Sequence, residues 1–169
     1  GTPVGYEGLA ATYNSATGRW EHHFDSTALP DGYYVVLAKA EDSAGNDAWS
    51  AVRHFSIRNW AVLELLPASE SNKAGRTMPV KFSLRIAAAV DPAQPFVYNE
   101  DLTIKIYVTG HPGDVLQIST YGDTATDYRV DQVGELYITN FKTLRQPKDY
   151  TVDIWRHNTI DFLVGQFGF

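Results

Sequence analysis

Residues 18–40 read GRWEHHFDSTALPDGYYVVLAKA, and residues 134–156 read GELYITNFKTLRQPKDYTVDIWR. Both stretches have the same order: an alternating aromatic-rich segment, a Thr, a Leu, a turn containing Pro, and a Tyr that opens a second alternating segment. They align with a single gap, and the Tyr residues that correspond are Tyr34 and Tyr150. An internal repeat predicts two similar structural units, which here lie about 116 residues apart along the chain.

The order of features within each copy is typical of strand E, the E–F corner and strand F of an immunoglobulin-type sandwich. In that fold a Tyr near the start of strand F ties down the corner. We therefore predict an all-β chain of two tandem immunoglobulin-like antiparallel β-sandwich modules. Composition agrees, because the chain has ten Tyr and four Trp and is 13% aromatic, and aromatic residues favour half-buried strands.

Short alternating segments separated by Gly, Pro, Asn and Asp recur along the chain, which favours a sandwich or barrel. No window of the sequence has a convincing helical period. The predicted strands are Leu9–Tyr13, Arg19–Phe24, Tyr33–Glu41, Ala51–Ile57, Ala61–Leu66, Met78–Ile86, Leu102–Thr109, Val115–Thr120, Asp127–Val130, Leu136–Phe141, Tyr150–Trp155 and Phe162–Phe169.

The boundary between the two modules is predicted at Arg58–Trp60, where one strand ends and a fresh apolar run begins. A linker this short, with Trp60 available to pack between the modules, favours a fixed angle between them. The second module, 59–169, has enough strands for a complete sandwich. The first, 1–58, offers only four, and one sheet leaves an apolar face that needs a partner. We therefore expect 1–58 to be the C-terminal part of a module, with its N-terminal strands cut away or associated as a separate chain.

Composition also excludes several classes of function. The chain has no cysteine, which removes disulfides, thiolate catalysis and Cys-ligated zinc. A net charge of −6 without a basic cluster argues against binding to nucleic acid or to anionic membranes. We find neither a long apolar run nor a signal-peptide pattern in the given sequence, so we expect that the chain as given neither spans a membrane nor carries a targeting segment. Because the chain begins with Gly1, we expect it to be a processed or excised piece of a longer protein.

Residues 24–46 read FDSTALPDGYYVVLAKAEDSAGN. This stretch resembles bacterial Ig-like domains strung along secreted enzymes, which have an Asp–Thr–Leu–Asp–Gly–Tyr progression followed by an Ala-x-Asp-x-x-Gly-Asn hairpin. Residues 77–86, TMPVKFSLRI, resemble the module named for its Pro-x-Lys-Phe signature, here Pro79 to Phe82. Such modules lie near the C-termini of secreted bacterial hydrolases, including subtilisin-like serine proteases.

The resemblance implies a secreted, extracellular and non-catalytic accessory region that acts as a spacer, stabilises its parent enzyme or binds substrate. The implied partners are the parent catalytic domain, the missing N-terminal strands, or a polymeric substrate, either protein or polysaccharide. Two alternatives stay open: a carbohydrate-binding appendage of a glycoside hydrolase, and a structural stalk of a cell-surface adhesin. The family's modules carry no catalytic residues, and no G-x-S-x-G elbow is present.

The oxygen-rich hairpin loop with Asp42, Asn46 and Asp47 is a candidate calcium site, and no other cofactor is expected. The alternative is that Asp42 caps the turn through its own backbone. A second ligand-type cluster, His22, His23 and Asp25, is expected to be a polar strand face, because a transition metal needs a third ligand on the same face.

Aromatic side chains supply the candidate ligand-binding site. Trp49 follows the DSAGND hairpin and is the best exposed candidate for stacking on a ligand. Trp20 and Trp155 lie in strongly alternating strands, which predicts that both are buried in the core.

Overall fold

The computed structural model describes residues 8–65, 74–86, 94–157 and 160–169. Within these ranges the chain is almost entirely β, and its one other regular element is the 3₁₀ turn Ser26–Ala28. No helix in the described residues is long and apolar enough to cross a membrane. The strands are β1 (Thr12–Asn14), β2 (Arg19–Glu21), β3 (Gly32–Val36), β4 (Lys39–Glu41), β5 (Asp47–Trp49), β6 (Arg53–Ile57), β7 (Trp60–Glu64), β8 (Thr77–Ile86), β9 (Leu102–Val108), β10 (Val115–Ser119), β11 (Tyr128–Asp131), β12 (Leu136–Lys142), β13 (Tyr150–Arg156) and β14 (Phe162–Gly168).

Strands β7 to β14 form two four-stranded antiparallel sheets, with the orders β7-β8-β12-β11 and β10-β9-β13-β14. If these strands are lettered A, B, C, C′, D, E, F and G in chain order, the sheets read A-B-E-D and C′-C-F-G. That is the strand arrangement of an immunoglobulin-type sandwich with one extra strand beside C. The predicted β-sandwich fold of the second half is therefore confirmed.

The core lies between these two sheets and follows from the alternation of their strands. Ile104 and Ile106 of β9 face Val152 and Ile154 of β13 across the ladder, and all four are fully buried. From the opposite sheet, Phe82 stacks on Tyr137 with their ring centroids 5.0 Å apart. Each such side chain contributes about 1.5–3 kcal/mol by its removal from water.

The Pro-x-Lys-Phe segment lies on β8. Phe82 is fully buried, as its alternation predicts. Pro79 pairs with Asn140 of β12, whereas β7 pairs with β8 only from Phe82 onward. Among the described residues, Pro79 therefore has a paired strand on one side only, a position where a residue without an amide hydrogen is tolerated.

Residues 8–57 of the first half contain three two-stranded pairings: β1 with β2, β3 with β6, and β4 with β5. Our prediction of four strands was wrong, because the described part contains six shorter ones. The predicted strand Tyr33–Glu41 divides into β3 and β4, because β3 pairs with β6 and β4 pairs with β5. Between them, the amide of Ala38 donates to the hydroxyl of Ser50 at 2.9 Å and not to a strand carbonyl. The predicted strand Arg19–Phe24 ends at Glu21.

The tyrosine corner predicted for both copies of the repeat is present in both. The hydroxyl of Tyr34 donates to the carbonyl of Pro30 at 2.6 Å. The hydroxyl of Tyr150 accepts the amide of Leu144 at 2.8 Å. Both copies of the sequence repeat thus have a Tyr bonded to the preceding turn, and the division into modules 1–58 and 59–169 stays a prediction.

Candidate functional site

A network of polar contacts joins the first half of the chain (β1 to β6) to the second half (β7 to β14), and we call this network the junction. Its centre is Asp31, which precedes β3 and is only 1% exposed. The carboxylate of Asp31 accepts the amides of Asn59, in the linker between β6 and β7, and of Trp60, the first residue of β7. These bonds tie the linker backbone to the first half, and the fixed angle between the modules stays a prediction.

Asn59 and Arg156 extend this network in opposite directions. The amide group of the Asn59 side chain donates to the carbonyls of Ser26 at 2.6 Å and Leu29 at 3.1 Å, so it fastens the linker to the E–F corner. From β13, Arg156 donates to the backbone carbonyl of Asp31 at 2.5 Å. The linker and the second half are thus both bonded to one short segment of the first half.

Aromatic and cationic side chains pack around these hydrogen bonds. The guanidinium of Arg58 lies 4.5 Å from the ring centroid of Phe162, at the start of β14. Tyr33 meets the same ring edge-on, with the centroids 5.1 Å apart. Arg156 lies 5.9 Å from the ring of Trp60. The ring of Trp60 also packs against the core of the second half, and its predicted packing between the modules stays a prediction.

Burial raises the pKa of the Asp31 carboxyl above its ordinary value, against the lowering effect of the bonds from Asn59 and Trp60 and of the nearby Arg58 and Arg156. The carboxylate is therefore costly to bury, and its retained charge depends on these donors. The arrangement holds no nucleophile paired with a base. What the described side chains supply here is a set of hydrogen bonds and ring contacts between β3, the linker and the ends of β13 and β14.

The candidate calcium residues separate in the structure. Asp42 and Asn46 come together: Asp42 Oδ1 accepts the amides of Ala44 and Asn46, both at 2.9 Å, and Oδ2 accepts the Asn46 side chain at 2.8 Å. The Asn46 side chain is the main cause that lowers the pKa of Asp42. Asp47 instead pairs with Lys39 at 3.2 Å. The oxygens of Asp42 are thus occupied as a turn cap.

The histidine cluster is likewise tied into local structure. His22 Nδ1 lies 3.0 Å from the carbonyl of Ala10, and Asp25 accepts the amide and hydroxyl of Thr27 at the start of the 3₁₀ turn. Within the described ranges, no group of three or more His, Cys, Asp or Glu residues is placed to hold a metal ion. Calcium binding at Asp42 stays a prediction.

Two of the tryptophans depart from the positions predicted for them. Trp20 is 72% exposed, so its predicted place in the core is wrong. Alternation showed that one face of β2 is apolar, but in the described structure only β1 pairs with β2. Trp155 is half-buried and lies outside the core cluster, so its predicted place in the core is also wrong. The ammonium of Lys105 lies 4.9 Å from its ring. Trp49 is 63% exposed, as expected, with Lys39 at 6.0 Å from its ring.

Sequence reasoning missed the roles of Asp31 and of two buried tyrosines in the second half. Asp31 stands in the turn LPDG, where Asp is an ordinary turn residue, and its partners lie almost thirty positions away. Tyr137 and Tyr128 reach out of the core to hold the connection between β8 and β9, through bonds to Val97 and Glu100 at 2.7 Å each. A Tyr rather than a Phe at a core position was the available signal.

No protein-family model matches the chain, and no curated protein or solved structure shows significant similarity to it. The fold assignment thus rests on strand order and register. Any function must be argued from the junction, from the exposed surfaces and from the sequence motifs.

Proposed function

We propose that this chain is a non-catalytic accessory region of a secreted bacterial hydrolase, a subtilisin-like serine protease. In this role it acts as a spacer that holds its parent enzyme at a fixed distance and orientation from a surface or a polymeric substrate. The junction is the observation that carries the proposal. A spacer needs a defined angle between its units, and the bonds to Asp31 and Arg156 supply one.

The choice of parent rests on the sequence motifs. The hairpin at 40–46 and the segment Pro79 to Phe82 both resemble modules of secreted hydrolases. Both motifs lie at structural positions: the hairpin is a capped turn between β4 and β5, and Phe82 fills the core. The motifs therefore support a relationship with such modules. They do not identify the parent enzyme, which needs a direct test.

The exposed tryptophans favour a second candidate, a carbohydrate-binding appendage. Trp20 and Trp49 present large apolar rings to solvent, and such rings can stack on sugars. However, Tyr13, the ring partner of Trp20, is tilted by 56° from it. The rings of Tyr13 and Trp20 therefore do not form one flat surface for a sugar, which makes this candidate the weaker one.

An antibody against the chain, used to recover the natural protein from culture medium and from cells, tests the proposal. We expect a secreted antigen larger than the chain that reacts with a fluorophosphonate probe for activated serines, while the isolated chain does not react. An unreactive antigen retained at the cell surface would instead identify an adhesin stalk. An unreactive secreted antigen that polysaccharide gels retard would identify a sugar-binding appendage. Reaction of the isolated chain itself would contradict a non-catalytic role.

A further inference from the structure

Two exposed tyrosines and a carboxylate lie together in the second half, where β8 leads into β9. Tyr98 and Glu100 belong to the connection between these strands, and Tyr121 follows β10. The hydroxyl of Tyr98 donates to the carboxylate of Glu100. The pKa of Tyr98 is raised, first by this bond and then by desolvation and by a hydrogen bond with Tyr121. The three side chains therefore form one group, which we call the Tyr98–Glu100–Tyr121 site.

The backbone of the connection is held from below by two buried tyrosines. The hydroxyl of Tyr137 donates to the carbonyl of Val97 at 2.7 Å and accepts the amide of Asn99 at 2.8 Å. The hydroxyl of Tyr128 donates to the carbonyl of Glu100 at 2.7 Å. The backbone is thus fastened on both sides of the exposed tyrosine, although this stretch lies outside any strand.

Tyr121 is held by one of the same buried tyrosines. Its ring packs against that of Tyr128, with the centroids 5.8 Å apart. The amide of Tyr128 donates to the carbonyl of Thr120 at 2.9 Å, and its carbonyl accepts the amide of Gly122 at 3.2 Å. Tyr98 nevertheless stays 44% exposed and Tyr121 47% exposed. Large exposed rings on a fastened backbone bind a partner with little loss of conformational freedom, which is why tyrosine is common at contact surfaces.

The charge of the site indicates a cationic ligand. Glu100 is exposed and forms no ion pair with any residue that the structure describes. An ionised carboxylate has room for several donors, so the bond from Tyr98 leaves acceptor sites for a ligand. The faces of the tyrosine rings are negative and attract a cation. A guanidinium suits both features, because its plane stacks on an aromatic ring while its N–H groups donate to a carboxylate.

We propose that the Tyr98–Glu100–Tyr121 site binds an arginine side chain of a partner polypeptide. The guanidinium donates to the carboxylate of Glu100 and lies against the tyrosine rings. The net charge of −6 on the chain favours the approach of a basic segment. A neutral sugar could also lie on the rings, but it would leave the charge of Glu100 without a counter-ion. The site does not depend on the parent being a hydrolase, because it is defined by these contacts alone.

The test uses the full chain and two synthetic peptides, Ac-Gly-Gly-Arg-Gly-Gly-NH2 and its counterpart with citrulline, which has nearly the shape of arginine but no charge. NMR follows the backbone amides of residues 97–101 and the tyrosine ring signals at up to about 10 mM peptide, a range suited to one anchoring side chain. A cello-oligosaccharide is titrated in the same way.

Three variants separate the contributions to binding. Glu100→Gln removes the charge of the site and keeps the size of the side chain. Glu64→Gln is its matched control, because Glu64 is exposed on β7 and its replacement changes the net charge equally. Tyr121→Leu removes one ring and keeps an apolar side chain against Tyr128.

We expect the arginine peptide to shift the signals of Tyr98, Tyr121 and Glu100 in a saturable way, and the citrulline peptide to bind about tenfold more weakly. Glu100→Gln and Tyr121→Leu should each weaken binding about tenfold, whereas Glu64→Gln should change it by less than about twofold. The proposal is overturned by the absence of localised shifts, by equal binding of the citrulline peptide, or by equal weakening in Glu64→Gln and Glu100→Gln. Tighter binding of the cello-oligosaccharide at the same rings would overturn it as well and would identify a saccharide site.

Discussion

Replacement of Asp31 by Ala is the most informative perturbation of the junction. The side chain is almost completely buried, and its carboxylate accepts two backbone amides, those of Asn59 and Trp60. Bonds to a charged acceptor contribute about 1.5–3 kcal/mol each, and relief of the buried charge returns part of that sum. We therefore expect Asp31→Ala to lower the free energy of unfolding by about 2–4 kcal/mol.

Urea denaturation followed by tryptophan fluorescence measures this loss, since Trp60 lies at the junction itself. Asp31→Asn is the matched control: it keeps one acceptor oxygen and the side-chain volume, so we expect a loss of about 1 kcal/mol. Hydrogen exchange at the amides of Asn59 and Trp60 should accelerate in Asp31→Ala far more than in β13. A loss in Asp31→Ala within about 0.5 kcal/mol of zero, the range of an ordinary surface change, would refute the reasoning.

Three further predictions follow from the described contacts. Tyr150→Phe leaves the amide of Leu144 without its acceptor and should cost about 1–2 kcal/mol in urea denaturation, more than Tyr34→Phe in the less buried corner. Burial raises the pKa of Tyr128, so the native state keeps the proton that the unfolded chain loses above about pH 10. This tyrosine therefore makes its full contribution to stability below about pH 10. Above about pH 10 its proton adds a fall of up to about 1.4 kcal/mol per pH unit to the free energy of unfolding, and Tyr128→Phe should remove that part of the slope. Because Asp42 already bonds to its own turn, roughly 1 mM Ca²⁺ should leave the melting temperature unchanged relative to EDTA; a rise that Asp42→Asn abolishes would instead establish a calcium site.

The local features of the fold could be predicted from the sequence, because they depend on neighbours in the chain. The corner tyrosines Tyr34 and Tyr150 each follow a Pro-containing turn within a few residues of sequence, so the sequence pattern predicts their role. The same holds for the alternation of β9 and β13. The capped turn at Asp42 follows equally from its immediate neighbours.

The features that could not be predicted depend on contacts across the fold. Alternation in β2 indicates an apolar face but not whether another strand covers it, so Trp20 was placed in the core and is exposed. The role of Asp31 depends on the amides of Asn59 and Trp60, and the bond from Arg156 comes from a residue 125 positions later in the chain. No local pattern encodes such pairs, and a single sequence offers no other signal for them.

The distance between the two halves tests the central claim, a fixed junction, most directly. The chain has no cysteine, so spin labels at Ser43→Cys, in the exposed hairpin turn, and at Val133→Cys, which is 97% exposed, report one distance without background. Double electron–electron resonance should show a single narrow distribution, which broadens when Asp31→Ala is added. A broad or multimodal distribution in the otherwise unchanged chain would contradict a fixed junction, and with it the role of a spacer.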